Sequence, residues 1–386
     1  MFKRTATLPD RSFLLFGPRG TGKTTWLREV LPSATWFDLL HEREQSRLLR
    51  APRLLFEQVA ALPDGSWIVV DEVQRVPAVL DEVQDLLARF PGKYRFAITG
   101  SSARKLRRSG GNLLPGRLIN RRFFPLTVSE LGTAPLDPDA LLLHGGLPAV
   151  RSEPSAALRD DLLEAYVDNY LTQEIRLEAA AKNLGAFARF LEVAALANGQ
   201  VTNVSGLSRD AEVARPTVQG YFEVLVDTLV GYWLPAWCPR AKVKETAHPK
   251  FYFFDTGVVR ALAARSRSPL EAAERGPLLE TWILHELRAW IDRSGCGGTL
   301  AYWRTAHGTE VDFVWSRGKN LVAIEVKAAG RWRPEFVDGI ESLAAQLPVT
   351  RAFVAYLGST PLRVGSVDAL PLADFLGRLY GGSVLS

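Results

Sequence analysis

Cysteine is nearly absent: Cys238 and Cys296 are the only two in 386 residues. That excludes a disulfide framework and a cysteine-ligated metal motif, and it suits a reducing cytoplasm, the expected location. The five histidines are scattered and form no ligand spacing. Long apolar runs are missing as well. The longest, Val224 to Cys238, carries Asp227 and is shorter than the roughly 20 residues a membrane span needs, so no membrane segment is expected. The basic start Met1-Phe2-Lys3-Arg4-Thr5 leads into no apolar stretch with a small-residue cleavage site, so no signal peptide is expected. Lysine is scarce, at 10 of 47 basic residues. A genomic bias in base composition would give such an arginine excess without functional cause. The net charge of +5 favours acidic partners such as nucleic acid without requiring them.

What remains, 47% hydrophobic and 23% charged, is the composition of a globular protein. At about 100–200 residues per domain the length suggests two or three domains. Their expected bounds are 1–150, 151–265 and 266–386.

Within the first, Gly17-Pro18-Arg19-Gly20-Thr21-Gly22-Lys23-Thr24 is a complete phosphate loop between an apolar strand and a helix. Gly17, Gly20, Thr21, Gly22, Lys23, Thr24 and Thr25 are the candidate nucleotide contacts. Glycines let backbone N–H groups close on phosphates, Lys23 reaches the β and γ phosphates, and the Thr24 hydroxyl is placed for Mg²⁺. Short apolar runs alternating with helical stretches predict a parallel sheet with strands at Ser12–Phe16, Ala34–Leu39, Trp67–Val70, Tyr94–Thr99 and Leu118–Phe124. The third delivers Asp71-Glu72 at its carboxyl end, the Walker B arrangement: Asp71 for Mg²⁺, Glu72 to polarise water. The fourth runs into Thr99-Gly100-Ser101-Ser102, where Ser101 or Thr99 is placed to sense a γ-phosphate, unless these hydroxyls only cap a helix. From Arg104 to Arg122 there are seven basic residues (Arg104, Lys105, Arg107, Arg108, Arg117, Arg121, Arg122) and no acidic one. They suit a solvated face, a DNA-phosphate contact or an arginine given to a neighbouring subunit's nucleotide, with Arg117 the finger candidate.

Together with Leu114-Pro115-Gly116-Arg117 and His144-Gly145-Gly146-Leu147-Pro148, these motifs resemble the AAA-type ATPases of bacteria and archaea that carry a C-terminal domain of unknown function. The resemblance implies an additional-strand ATPase core with ATP and Mg²⁺ as cofactors, Glu72 as the catalytic residue, and homo-oligomers completed by an arginine finger in trans.

The second segment predicts helices at Leu162–Thr172 and Gly185–Ala197, then short helices at Val204–Leu207 and Arg209–Ala214 and a longer one from Pro216 to Leu229. This layout resembles a winged helix-turn-helix, with Arg215, Thr217 and Gln219 leading the recognition helix. Winged helices in ATPases also serve as lids or protein contacts. Pro249 to Gly257 reads as a buried strand and turn, with packing as its only visible role.

In the third segment, a helix at Pro277–Ile291 precedes two alternating runs, Thr309–Trp315 and Leu321–Lys327, that read as a hairpin. A loop at Arg317–Asn320 puts Asp312 opposite Glu325 and Glu310 opposite Lys327, with all four side chains on one face. Asp312, Glu325 and Lys327, with Glu280 on the helix and Glu286 as second choice, resemble restriction-endonuclease-like nucleases, in which the acidic groups bind Mg²⁺. Six residues of helix turn through roughly 240°, so Glu280 and Glu286 are not expected to face one site. A salt-bridged polar face, or a fold kept without cleavage, are the other readings.

The whole reads as an α/β P-loop AAA-type core, a helical winged-helix-like middle and a restriction-endonuclease-like α/β domain. The expected activity is ATP hydrolysis acting on duplex or branched DNA by remodelling, translocation or nuclease-coupled processing. The alternative is a nucleotide-gated switch or scaffold.

Overall fold

The computed structural model describes residues 2–102, 116–132, 135–171, 183–237 and 248–385. Arg104, Lys105, Arg107, Arg108, Leu114, Pro115 and Cys238 lie outside these described residues.

Five strands form a parallel sheet in the order β2-β3-β4-β1-β5: β1 Phe13–Phe16, β2 Thr35–Asp38, β3 Trp67–Asp71, β4 Arg95–Gly100 and β5 Ile119–Arg122. β4 sits between β1 and β3, the additional strand of the expected core. The runs are continuously apolar because both faces are covered. Leu14, Ile68, Val70, Phe96 and Ile98 pack on one side, while Phe13, Leu15, Val69 and Ala97 meet Trp26 and Leu27 on the other. Parallel pairing brings the carboxyl ends of β1, β3 and β4 to one edge.

The middle part is helical. Helix Ala156–Ala165 starts earlier than the apolar spacing suggested, because Ser155 caps it by accepting from Leu158 N, and it passes into a π-helical stretch, Tyr166–Leu171. Helices Leu184–Leu196, Val204–Asp210 and Arg215–Asp227 follow. The expected break inside the second of these is absent, since Asn203 caps it at Gly206 N and it ends only before left-handed Glu212. An antiparallel pair, β6 Gly231–Leu234 and β7 Lys250–Phe253, completes the region.

The Pro249–Gly257 run, whose only visible role in the sequence is packing, and the His144–Pro148 motif prove to be halves of one joint. The buried Asp255 carboxylate accepts from Gly146 N at 2.7 Å and Val258 N at 3.1 Å, tying the Gly145-Gly146 turn to helix Thr256–Leu262. Gly145 has φ 66° and ψ −155°, a conformation essentially confined to glycine, and a Cβ there would lie 2.0 Å from Asp255 Oδ1. Gly145→Ala is expected to cost about 2–5 kcal/mol. Denaturant melting of the variant measures this, and a loss below about 0.5 kcal/mol would show the joint to be slack.

The C-terminal sheet has the order β12-β13-β11-β10-β9-β8, with β8 Thr299–Arg304, β9 Glu310–Arg317, β10 Asn320–Lys327, β11 Arg351–Tyr356, β12 Leu362–Val364 and β13 Val367–Pro371. Its helix is longer than expected, Ala272–Ser294, because a Glu271–Glu274 capping box starts it ahead of Pro277, which falls inside. The hairpin register is the one read from the sequence, with a tighter turn: Arg317 already pairs with Asn320 around Gly318, φ 60°. One hydrophobic core runs without interruption from Leu142 through Tyr252 to Leu385, so the middle and C-terminal parts share it.

Candidate functional site

The phosphate loop leaves β1 where Gly17 passes so close to Phe123 that a Cβ would lie 2.2 Å from the Phe123 carbonyl oxygen. Gly20 (φ 74°) and Gly22 (φ 93°) then turn the chain through left-handed conformations into helix Lys23–Val30. The Lys23 ammonium is folded over the loop, donating to Gly17 O at 2.7 Å and Pro18 O at 3.0 Å. Thr21 Oγ1 donates to Pro18 O at 2.9 Å, which stiffens the same turn. Thr25 follows on the exposed side of the helix.

The loop meets Asp71-Glu72 as the edge geometry requires. Thr24 Oγ1 donates to Asp71 Oδ2 at 2.7 Å, and the Thr99 hydroxyl donates to Asp71 Oδ1. Glu72 N in turn donates to Thr99 Oγ1 at 2.9 Å. Ser101, the other candidate of this strand end, donates to Glu72 Oε2 at 2.9 Å. The two hydroxyls therefore have different partners: Thr99 holds the Asp71 carboxylate and Glu72 N, and Ser101 holds the Glu72 carboxylate. Glu72 is itself left-handed, φ 58°, an unusual conformation for a side-chain-bearing residue. Burial pushes its carboxyl up, but Lys23, Arg19, Gln74 and Ser101 outweigh this and hold it below the usual range. Asp71 is raised by burial against the hydrogen bonds from Thr99 and Thr24. Adjacent oxygens from Thr24 and Asp71 fit a hard, oxygen-seeking cation.

Three contacts were not visible in the sequence. Gln74 Nε2 bonds Glu72 Oε2 and also donates to Ser101 Oγ at 2.9 Å. Arg4 donates to Thr21 O and Phe124 O, both at 2.7 Å, and to Glu130 at 3.1 Å, bracing the loop from outside. Tyr166, at the start of the π-helical stretch, donates its hydroxyl to Arg19 O at 3.1 Å and lies beside Gly20. Only the position of Gln74 two residues after Glu72 was a possible cue. Arg117 is exposed, donating to Gln84 O at 2.9 Å, and precedes the amino end of β5, at the sheet edge opposite the phosphate loop.

In the C-terminal sheet the β9–β10 ladder ends at the Phe313–Ile324 pair. Beyond it the strands part and carboxylates take the place of carbonyls: Val326 N donates to Asp312 Oδ2 at 2.8 Å, and Asp312 N to Glu325 Oε2 at 3.3 Å. The expected single face is thus a gap between strands. Lys327 Nζ contacts Glu325 Oε1 at 2.5 Å. Glu280 reaches the same region from the long helix, accepting from Tyr252 Oη at 2.8 Å. Burial and the Asp312 charge push Glu280 up to about 7 and Glu325 up to about 8, and burial raises Asp312. These carboxylates do not close into a ligand set. Among the described residues no group of three or more His, Cys, Asp or Glu is arranged to hold a metal ion. An unanticipated cation, Lys250 of β7, lies 3.5 Å from Glu280 Oε2 and is paired with Glu310.

Glu286 faces elsewhere, as six residues of helix require. Fully buried, it accepts from Val128 N at 2.8 Å and bonds the Tyr380 hydroxyl, joining the long helix to the ATPase core. Burial pushes its carboxyl up to about 8. Because the folded state keeps this proton while the unfolded chain releases it near 4.5, stability falls as pH rises between about 4.5 and about 8. Glu286→Gln is expected to stabilise the protein by about 1–3 kcal/mol at pH 8.5 and to change little at pH 4. Melting at the two pH values tests this, and an equal effect at both would remove Glu286 as the titrating group.

Fold and site together define a P-loop ATPase of the AAA type. A family model described as an AAA domain matches residues 9–132, and two described as domains of unknown function match residues 137–269 (DUF8612) and 275–375 (DUF4143). Uncharacterized proteins of Mycobacterium tuberculosis and Mycobacterium bovis are each 30% identical over 382 residues, covering 97% of this chain and 80% of theirs. An uncharacterized protein of Haemophilus influenzae is 24% identical over 225 residues, 54% of this chain and 55% of its own. Among solved structures, a point variant of Thermotoga maritima RuvB is similar at 17% identity and a TM-score of 0.27, covering 58% of this chain and 82% of that one, too loose a match to bear on function. The chain belongs to the family of AAA-domain ATPases with a C-terminal domain of unknown function, and its first domain is a nucleotide-binding ATPase domain. Among the described residues no helix is long and apolar enough to cross a membrane.

Proposed function

We propose that the protein is an Mg²⁺-dependent ATP hydrolase that acts on DNA. The observation that carries the hydrolytic part is the hydrogen-bonded series Thr24–Asp71–Thr99–Glu72–Ser101, which links the phosphate loop to a carboxylate kept ionised. A bound Mg²⁺ supplies charge neutralisation of the triphosphate, with Thr24 and Asp71 holding it. Glu72 orients and deprotonates the attacking water, Lys23 turns from Gly17 O and Pro18 O to the phosphates, and Ser101 holds Glu72 in line. Arg117 is at the wrong edge to reach its own nucleotide, which supports its use by a neighbouring copy in a homo-oligomer.

For DNA, the support is the three-helix layout followed by the β6–β7 pair, with Arg215, Thr217 and Gln219 exposed at the leading end of helix Arg215–Asp227, and exposed Arg117, Arg121 and Arg122. The alternative of a nucleotide-gated switch is favoured by one observation: the nuclease-like carboxylates are already engaged by lysines and backbone. ATPase rate measured against protein concentration, with and without single-stranded, duplex and branched DNA, separates the two. The DNA reading expects stimulation that weakens as salt rises, and no stimulation with no salt-dependent binding leaves the switch.

A further inference from the structure

The Arg4 side chain is 8% exposed, and its guanidinium uses all three nitrogens at once. Nη1 donates to Thr21 O and Nη2 to Phe124 O, both at 2.7 Å, and Nε donates to Glu130 Oε1 at 3.1 Å. Its central carbon lies 4.1 Å from the centre of the Phe123 ring. These contacts reach both ends of the phosphate loop, because Gly17 packs on Phe123 where the loop begins and Thr21 stands just before it enters its helix. Glu130, at the far end of this strut, is itself held, accepting from Thr5 N at 2.7 Å and Thr127 N at 3.1 Å. The turn that Glu130 closes is fastened in turn to the long helix, where Glu286 accepts from Val128 N.

The peptide between Thr21 and Gly22 is planar and trans, so its C=O and N–H point to opposite sides. With Thr21 O turned outward to Arg4, the Gly22 N–H is turned inward. Gly22 is left-handed, φ 93°, and glycine enters that region as readily as any other, so its own sterics do not fix the peptide. The Thr21 hydroxyl does not fix it either, since it donates to Pro18 O. Glu130 pairs with the guanidinium, so Arg4 supplies geometry rather than a free charge for phosphate. We propose that Arg4 is a positioning residue of the ATPase site: it holds the Thr21–Gly22 peptide so that the Gly22 N–H faces the α and β phosphates of a bound nucleotide. Arg4 touches no substrate and acts through the backbone of the loop. This rests on reading Gly17–Thr24 as the ATP site, and the test separates the two ideas.

The experiment is equilibrium binding of ATP and ADP to the full chain, with steady-state ATP hydrolysis, for the unmutated protein, Arg4→Gln and Arg4→Lys. Both nucleotides carry the α and β phosphates, so Arg4→Gln is expected to weaken ATP and ADP by the same factor, about tenfold, raising KM with a much smaller fall in kcat. Arg4→Lys keeps the charge but loses the planar fork that reaches three acceptors, and is expected to recover little of that affinity. It still pairs with Glu130, so it serves alone if the Gln variant does not melt cooperatively. If either folded variant binds both nucleotides as tightly as the unmutated protein, Arg4 is a structural strut and the proposal is overturned. A loss confined to ATP would place the effect at the γ phosphate and overturn it as well. Should the unmutated protein bind neither nucleotide, the reading of the loop falls, and the proposal with it.

Discussion

Glu72→Gln is expected to lower ATP turnover by roughly 10²–10⁴-fold while ATP still binds. In the proposed reaction the carboxylate accepts a proton from water, and its surroundings suit that: Lys23 and Arg19 hold it ionised, and Ser101 and Gln74 hold it in place. The amide keeps the size and can still accept from Ser101, so the fold should be unchanged. Single-turnover hydrolysis and binding of a fluorescent ATP analogue are the two measurements. Normal turnover in the variant would remove Glu72 from the reaction, whereas loss of both binding and turnover would mean that Glu72 shapes the loop.

Lys23→Ala is expected to act a step earlier, weakening ATP binding about tenfold to a hundredfold or more. In the structure Lys23 neutralises carbonyl oxygens at Gly17 and Pro18, a position it can leave only for something more negative. Its removal takes away that exchange and also one of the charges that keeps Glu72 ionised. The stabilisation that saturating ATP confers on the melting transition should shrink accordingly, since ligand stabilisation follows the ratio of concentration to Kd. An undiminished ATP-dependent shift would rule out Lys23 as a phosphate contact.

The ATPase core was largely legible because its signals are local. A glycine at position 17 is demanded by Phe123, glycines at 20 and 22 by backbone conformation, and Asp71-Glu72 by its place at the end of an apolar run. The β9–β10 register was legible for a similar reason, since one turn fixes it. What could not be read were contacts closed by chain segments far apart. Lys250 lies 30 residues from Glu280 and 60 from Glu310, and nothing near it in sequence marks it as their partner. Arg4 reaches Glu130 across 126 residues, and Asp255 reaches Gly146 across 109. The helices begin at Ala156 and Ala272, ahead of their apolar spacing, because that spacing locates the buried stripe, whereas Ser155 and the Glu271–Glu274 pair set the ends.

The continuous core from Leu142 to Leu385 has a consequence for how the chain can be divided. A fragment beginning after residue 265 would leave Tyr252, Phe253 and Val258 behind and strip the long helix of part of the surface it packs on, keeping whole only the second core on the other face of the C-terminal sheet, where Val314, Leu343 and Val354 pack. The sequence families place a boundary between residues 269 and 275, inside the core that the middle and C-terminal parts share, so a C-terminal piece that keeps this core has to bring the middle part with it.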